Sequence, residues 1–116
     1  MNDPIDISHL EQYVFGDRAL LDEILTIFIE QAQSLSARLS ADADDETWKL
    51  AAHTLKGASR GVGAFRLGDL AEKAEGMVGP AAAAREAHLK DLRAAASKAV
   101  EFAQKYRDDP RRPDHS

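Results

Sequence analysis

Apolar residues recur in this chain at steps of three and four over almost its whole length, and nowhere alternate as a strand would require. From Arg18 to about Ala41 they fall at Leu21, Ile24, Leu25, Phe28, Ala32, Leu35 and Leu39, one face of a long helix. Ile27 and Ile29 broaden that face, which predicts neighbours on two sides. A second helix is predicted over 45–62, with Trp48, Ala51, Ala52, Leu55, Ser59 and Val62 on one face. A third covers Ala64–Met77 through Leu67, Leu70, Ala71, Ala74 and Met77. A fourth runs from Pro80 to about Tyr106 with Leu92, Ala95, Ala99, Phe102 and Tyr106 inward.

Polar residues and glycines punctuate the pattern. Ser8 and Glu11 form an S-x-x-E capping box ahead of a short helix over 8–14. Asp17 is placed to cap the long helix, and Asp44 or Asp45 the next. Gly61 and Gly63 are expected to stop that helix, as glycine does near a C-cap. Gly79-Pro80 reads as a turn, with Pro80 at the start of the last helix. Short connections between long helices predict antiparallel neighbours. The expected fold is therefore all-α: an antiparallel up-and-down four-helix bundle with a short additional N-terminal helix. It spans residues 1–107, and a charged, proline-bearing tail over 108–116 is expected to fray.

Composition narrows the chemistry. At 116 residues and 44% hydrophobic, the chain is sized for one domain with a modest core. Without cysteine there is no disulfide, no thiolate nucleophile and no cysteine-type zinc site. No apolar run approaches the roughly 18 residues of a membrane span, and the N-terminus lacks the basic start and apolar middle of a signal peptide, so a cytoplasmic location is expected. A net charge of −5 argues against nucleic acid as partner.

One local reversal of that charge stands out. On a wheel of ~100° per residue, His53 lies well over a right angle from Trp48, on the outer side of the 45–62 helix. Around it lie Lys49, Lys56 and Arg60, and one turn on is Gly57, where glycine costs roughly 1 kcal/mol relative to alanine. An exposed imidazole, with an ordinary pKa of about 6.5, is largely neutral and nucleophilic at pH 7. Cations around it favour that form and offset the charge of an arriving phosphoryl group. A bare position beside the ring lets a partner come close. A phosphorylatable histidine accounts for all of these features at once. The plainer alternatives explain them singly: a surface histidine, a solvated Lys/Arg stripe, or a glycine at a helix contact. Ser59, on the buried face, reads as a packing residue with no base to activate it.

These residues resemble a known family. His53-Thr54-Leu55-Lys56-Gly57-Ala58-Ser59, followed by Gly63-Ala64, is similar to the H-x-L-K-G-x-S-x-x-x-G-A signature of histidine phosphotransfer (HPt) domains, and the likeness continues more loosely through Leu67, Leu70 and Ala74-Glu75. The family often has leucine where Ala74 stands, a difference of packing and not of chemistry. The resemblance implies a phosphorelay intermediate. His53 would exchange a phosphoryl group with a receiver-domain aspartate or take it from a sensor histidine kinase. Lys56 would stabilise the group, and Gly57 would admit the partner. The chain would have no cofactor of its own; a divalent metal is expected on the receiver. Neither a Walker-type sequence nor a kinase module is present, so an autonomous kinase is not expected, and the chain is expected to act as a free-standing shuttle.

For the docking surface, Lys49, Arg60 and Arg66 are the expected rim cations, and Leu10, Val14 and Phe15 the expected exposed apolar residues. A monomer is expected, because the motif must stay open. The competing function is a helical binding module that sequesters a receiver without exchanging phosphate. A metal hydrolase is disfavoured by the lack of H-E-x-x-H spacing. His88, in AHLKDL, echoes the motif but lacks its glycine and serine; it, His9 and His115 are expected to be bystanders.

Overall fold

The computed structural model describes residues 3–109, and among these the chain is all-helical. Its elements are α1 (Ile7–Val14), α2 (Arg18–Arg38), α3 (Asp45–Val62), α4 (Phe65–Glu75), a 3₁₀ segment (Gly79–Ala84) and α5 (Arg85–Asp108). α3 packs against α2 and α4, α5 packs against the same two helices, and α1 lies on α2 and α3. The tail from residue 110, with His115, lies outside the described residues. No described helix is long and apolar enough to cross a membrane.

The α3 pattern folds as its sequence dictates. Trp48, Ala51, Ala52, Leu55, Ser59 and Val62 are all buried. Asp44, not Asp45, is the cap: its carboxylate accepts the Thr47 N–H at 2.7 Å, which holds the Asp44 carboxyl below its usual range. Asp17 caps α2 in the same way, through the Leu20 N–H. At the far end of α3, Gly61 stays helical and Gly63 is the cap, with φ of 90°. A side chain there would place Cβ 2.8 Å from the Asp6 carbonyl oxygen. Gly63 also accepts the Asp6 N–H at 3.0 Å, tying the chain's entry to the end of α3.

That tie corrects the predicted capping box. With Asp6 fixed against Gly63 and Ile5 buried, Asp6 is the cap of α1, accepting the His9 N–H at 3.2 Å. Ser8 falls inside the helix, and Glu11 accepts a bond from the Tyr106 hydroxyl.

Other boundaries shift for local reasons. α2 ends at Arg38, after which buried Leu39 leads into a turn. On α2, Ile29 joins the core as expected, but Ile27 stays 47% exposed. α4 stops at Glu75, two residues short of Met77. The last helix starts at Arg85 and not at Pro80: the Gly-Pro-Ala₄ stretch buries no side chain, so nothing seats it as an α-helix, and it winds as 3₁₀. The inward stripe of α5 is Leu89, Leu92, Ala96, Ala99 and Ala103, with Ala95, Phe102 and Tyr106 half-buried at its edge.

A polar anchor holds the base of α3. The Arg85 guanidinium is buried and lies 4.4 Å over the Trp48 ring. It donates to the carbonyls of Met77 (2.8 Å) and Ala43 (2.7 Å) and to the Asp45 carboxylate (2.7 Å). The Trp48 Nε1–H donates to the Ala74 carbonyl at 2.6 Å. The end of α4 is thereby pinned beside α3, and the residue after Ala74 is Glu75.

Candidate functional site

His53 projects from the outer side of α3, with its side chain 63% exposed. Core residues on the preceding and following turns fix that direction: Trp48, Ala52 and Leu55 point in, so residue 53 points out. Its Nδ1 lies 3.0 Å from Oε2 of Glu75 on α4. The other carboxylate oxygen, Oε1, holds the Lys56 ammonium at 2.8 Å. One carboxylate therefore bridges the histidine and the lysine from the neighbouring helix. The Lys56 bond, reinforced by the one from His53, holds the Glu75 carboxyl below its ordinary range despite partial burial.

This geometry assigns the ring's two nitrogens. An ionised carboxylate accepts only, so Nδ1 carries the proton it donates. In the neutral ring, the unprotonated Nε2 then carries the free lone pair. Glu75 was legible in the sequence only as the far end of the loose resemblance; its pairing with a histidine 22 positions earlier, on another helix, was not.

Beside the ring, a Cβ placed on Gly57 would meet no atom within 4 Å. Among the described residues, no packing contact requires glycine there. A Cβ on Gly61, one turn on, would likewise find open space.

The expected ring of cations is more neutral than its sequence suggests. Arg60 turns away from His53 onto α4, where it pairs with Asp69 at 3.1 Å and Glu72 at 3.4 Å. Its stem lies on Gly68, where a side chain would put Cβ 2.7 Å from Arg60 Cγ. Lys49 is exposed on the His53 side of α3, and Arg66 is exposed at the start of α4.

The apolar surface differs from expectation. Leu10 and Val14 are buried, at 0% and 3% exposure, because they are the residues by which α1 seats on α2 and α3. They are therefore not a docking surface. Phe15 is 95% exposed, as expected of it. Among the described residues, Tyr13, Leu20, Ile27, Leu50 and Phe65 are the other exposed large apolar residues. Leu50 stands one helical turn before His53 and was missed because the helix pattern alone gave it no role.

The remaining described histidines are engaged elsewhere. His88 Nε2 donates to the Leu70 carbonyl at 2.7 Å, half-buried between α5 and α4. His9 stands edge-on to Phe65. Among the described residues, no group of three or more His, Asp or Glu is placed to hold a metal ion.

The family model described as Hpt domain matches residues 23–105. The chain belongs to the Hpt domain family. The matched stretch holds His53, Lys56, Gly57, Arg60 and Glu75, and leaves α1 outside it. An Hpt domain serves histidine phosphotransfer in two-component signalling, working with receiver domains and kinases. No curated protein and no solved structure gives a significant match.

Proposed function

We propose that this Hpt domain is a phosphorelay intermediate in which His53 Nε2 receives a phosphoryl group from a receiver-domain aspartyl phosphate, or from a kinase, and passes it to another receiver aspartate. The observation that carries this reading is the exposed His53 ring with Nδ1 bound to Glu75 and open space at Gly57.

In the acceptance step, the Nε2 lone pair forms the N–P bond while the P–O bond to the receiver carboxylate breaks. The carboxylate leaves with that electron pair. The ring, now phosphorylated on Nε2 and still protonated on Nδ1, is cationic, and the Glu75 carboxylate beside Nδ1 offsets that charge. Lys56 is close enough to leave Glu75 for the phosphoryl oxygens as they arrive. In onward transfer the N–P bond breaks, its electrons return to Nε2, and the next carboxylate takes the phosphoryl group. Any divalent metal the step uses is brought by the receiver, and the chain acts as a relay partner without kinase activity of its own, in the cytoplasm.

The helices fit this role as an antiparallel up-and-down four-helix bundle of α2, α3, α4 and α5, with α1 as the additional helix. Gly57 admits the partner's backbone to the ring. Leu50 and Phe15 supply apolar contact near the ring and at the end of α1, and Lys49, Arg60 and Arg66 shape the encounter electrostatically.

The test is to mix the protein with a phosphorylated cognate receiver carrying radiolabelled phosphate. An acid-labile, base-stable label on the wild type, absent from His53→Gln, is expected. Equal labelling of His53→Gln would overturn the site. Tight receiver binding without any transfer would instead support a sequestering module.

A further inference from the structure

Across the molecule from the α3–α4 pair that carries His53, α2 and α5 leave a groove of about 570 Å³ between them. Most of its walls are small, Ala32, Ser36 and Ala37 on α2 and Ala96 and Ser97 on α5, with Gln33 and Gln104 the longer polar side chains beside them. Arg93 and Glu101 stand toward the two ends of its α5 wall.

We propose that this groove receives a second copy of the chain, with the two α5 helices antiparallel and centred on Ser97. The spacing carries the argument. Arg93 and Glu101 lie four residues to either side of Ser97, so all three share one face of α5. A two-fold pairing about Ser97 sets Arg93 against Glu101 of the second copy, and does so twice. The same register sets Ser97 against Ser97 of the second copy, where small side chains let the helix axes come close. No like charges among the groove-lining residues meet in it.

Both charged groups have room for a further bond. Arg93 spends one guanidinium nitrogen on the Leu39 carbonyl, at 3.0 Å. Glu101 spends one oxygen on Lys105, at 2.7 Å. The contact is one helix pair and its flanks, which places it among small, weak interfaces. His53 stays open in such a dimer, which meets the reason for expecting a monomer: the reactive face is elsewhere.

Sedimentation of the full chain across the micromolar to millimolar range, with no phosphoryl donor present, tests this directly. A concentration-dependent monomer–dimer equilibrium is expected. Arg93→Glu and Glu101→Arg should each weaken it about tenfold or more, and the double variant should restore it to within about threefold of wild type. Ser97→Arg should also disrupt it, and thermal melts should report all variants folded. A wild type monomeric throughout that range overturns the proposal. So does a dimer that ignores these substitutions. Neither outcome bears on phosphotransfer by His53.

Discussion

Two stretches of α3 lie within a few residues of each other and do opposite things. At its base, Trp48 is fully buried, its ring faced by the Arg85 guanidinium and its N–H spent on Ala74. In its middle, His53 stands in solvent, and a Cβ on Gly57 would touch nothing. The first stretch is dense and satisfied; the second is open. The difference teaches how a helix can present an exposed ring and still hold it in place. The base fixes where α4 ends, and hence where Glu75 meets His53.

Substitutions at the two stretches should therefore have separable effects. The largest is expected at the base. Arg85→Ala leaves the Met77 and Ala43 carbonyls without their donor and should cost about 2–3 kcal/mol in denaturant unfolding. A loss below about 0.5 kcal/mol would mean the anchor is not structural.

In the middle, Gly57→Leu should leave stability unchanged or raise it by up to about 1 kcal/mol. It should slow phosphotransfer about tenfold or more, about 1.4 kcal/mol in barrier. Gly63→Ala supplies the contrast, since φ of 90° and the Asp6 carbonyl make that glycine structural; about 1–3 kcal/mol of stability should be lost. If Gly57→Leu melted the protein and Gly63→Ala did not, the two roles would be reversed.

The smallest effect is expected from Glu75. Its carboxyl titrates below the ordinary glutamate value of 4.5, chiefly because of Lys56. A depressed folded-state pKa means that its stabilising contribution is present above the unfolded value and is lost as pH falls through the folded one. Being partly exposed, it should contribute under roughly 1 kcal/mol. Melting curves of wild type and Glu75→Gln should differ above pH 4.5 and converge in more acidic solution. Curves that stay equally far apart in acid would remove the charge-based explanation.

What the sequence shows clearly is whatever one helix decides by itself. The inward face of α3 follows from periodicity, and that face alone puts His53 outside. Asp17 and Asp44 are legible as caps because their bonds reach only three residues. What depends on a second element is not legible. Glu75 reaches His53 from α4, and Arg60 is drawn off by Asp69 and Glu72. Leu10 and Val14 look available on an isolated short helix, but become its seat once α2 and α3 are there. Asp6 outcompetes Ser8 as a cap only because Gly63 holds it in place.

The measurement that bears most directly on the account is nitrogen NMR of the imidazole at position 53, before and after exposure to a phosphorylated receiver. Before exposure, the neutral ring should carry its proton on Nδ1; afterwards, phosphorus should couple to Nε2. A proton on Nε2 at the outset, or phosphorus arriving at Nδ1 or at His88 instead, would contradict it.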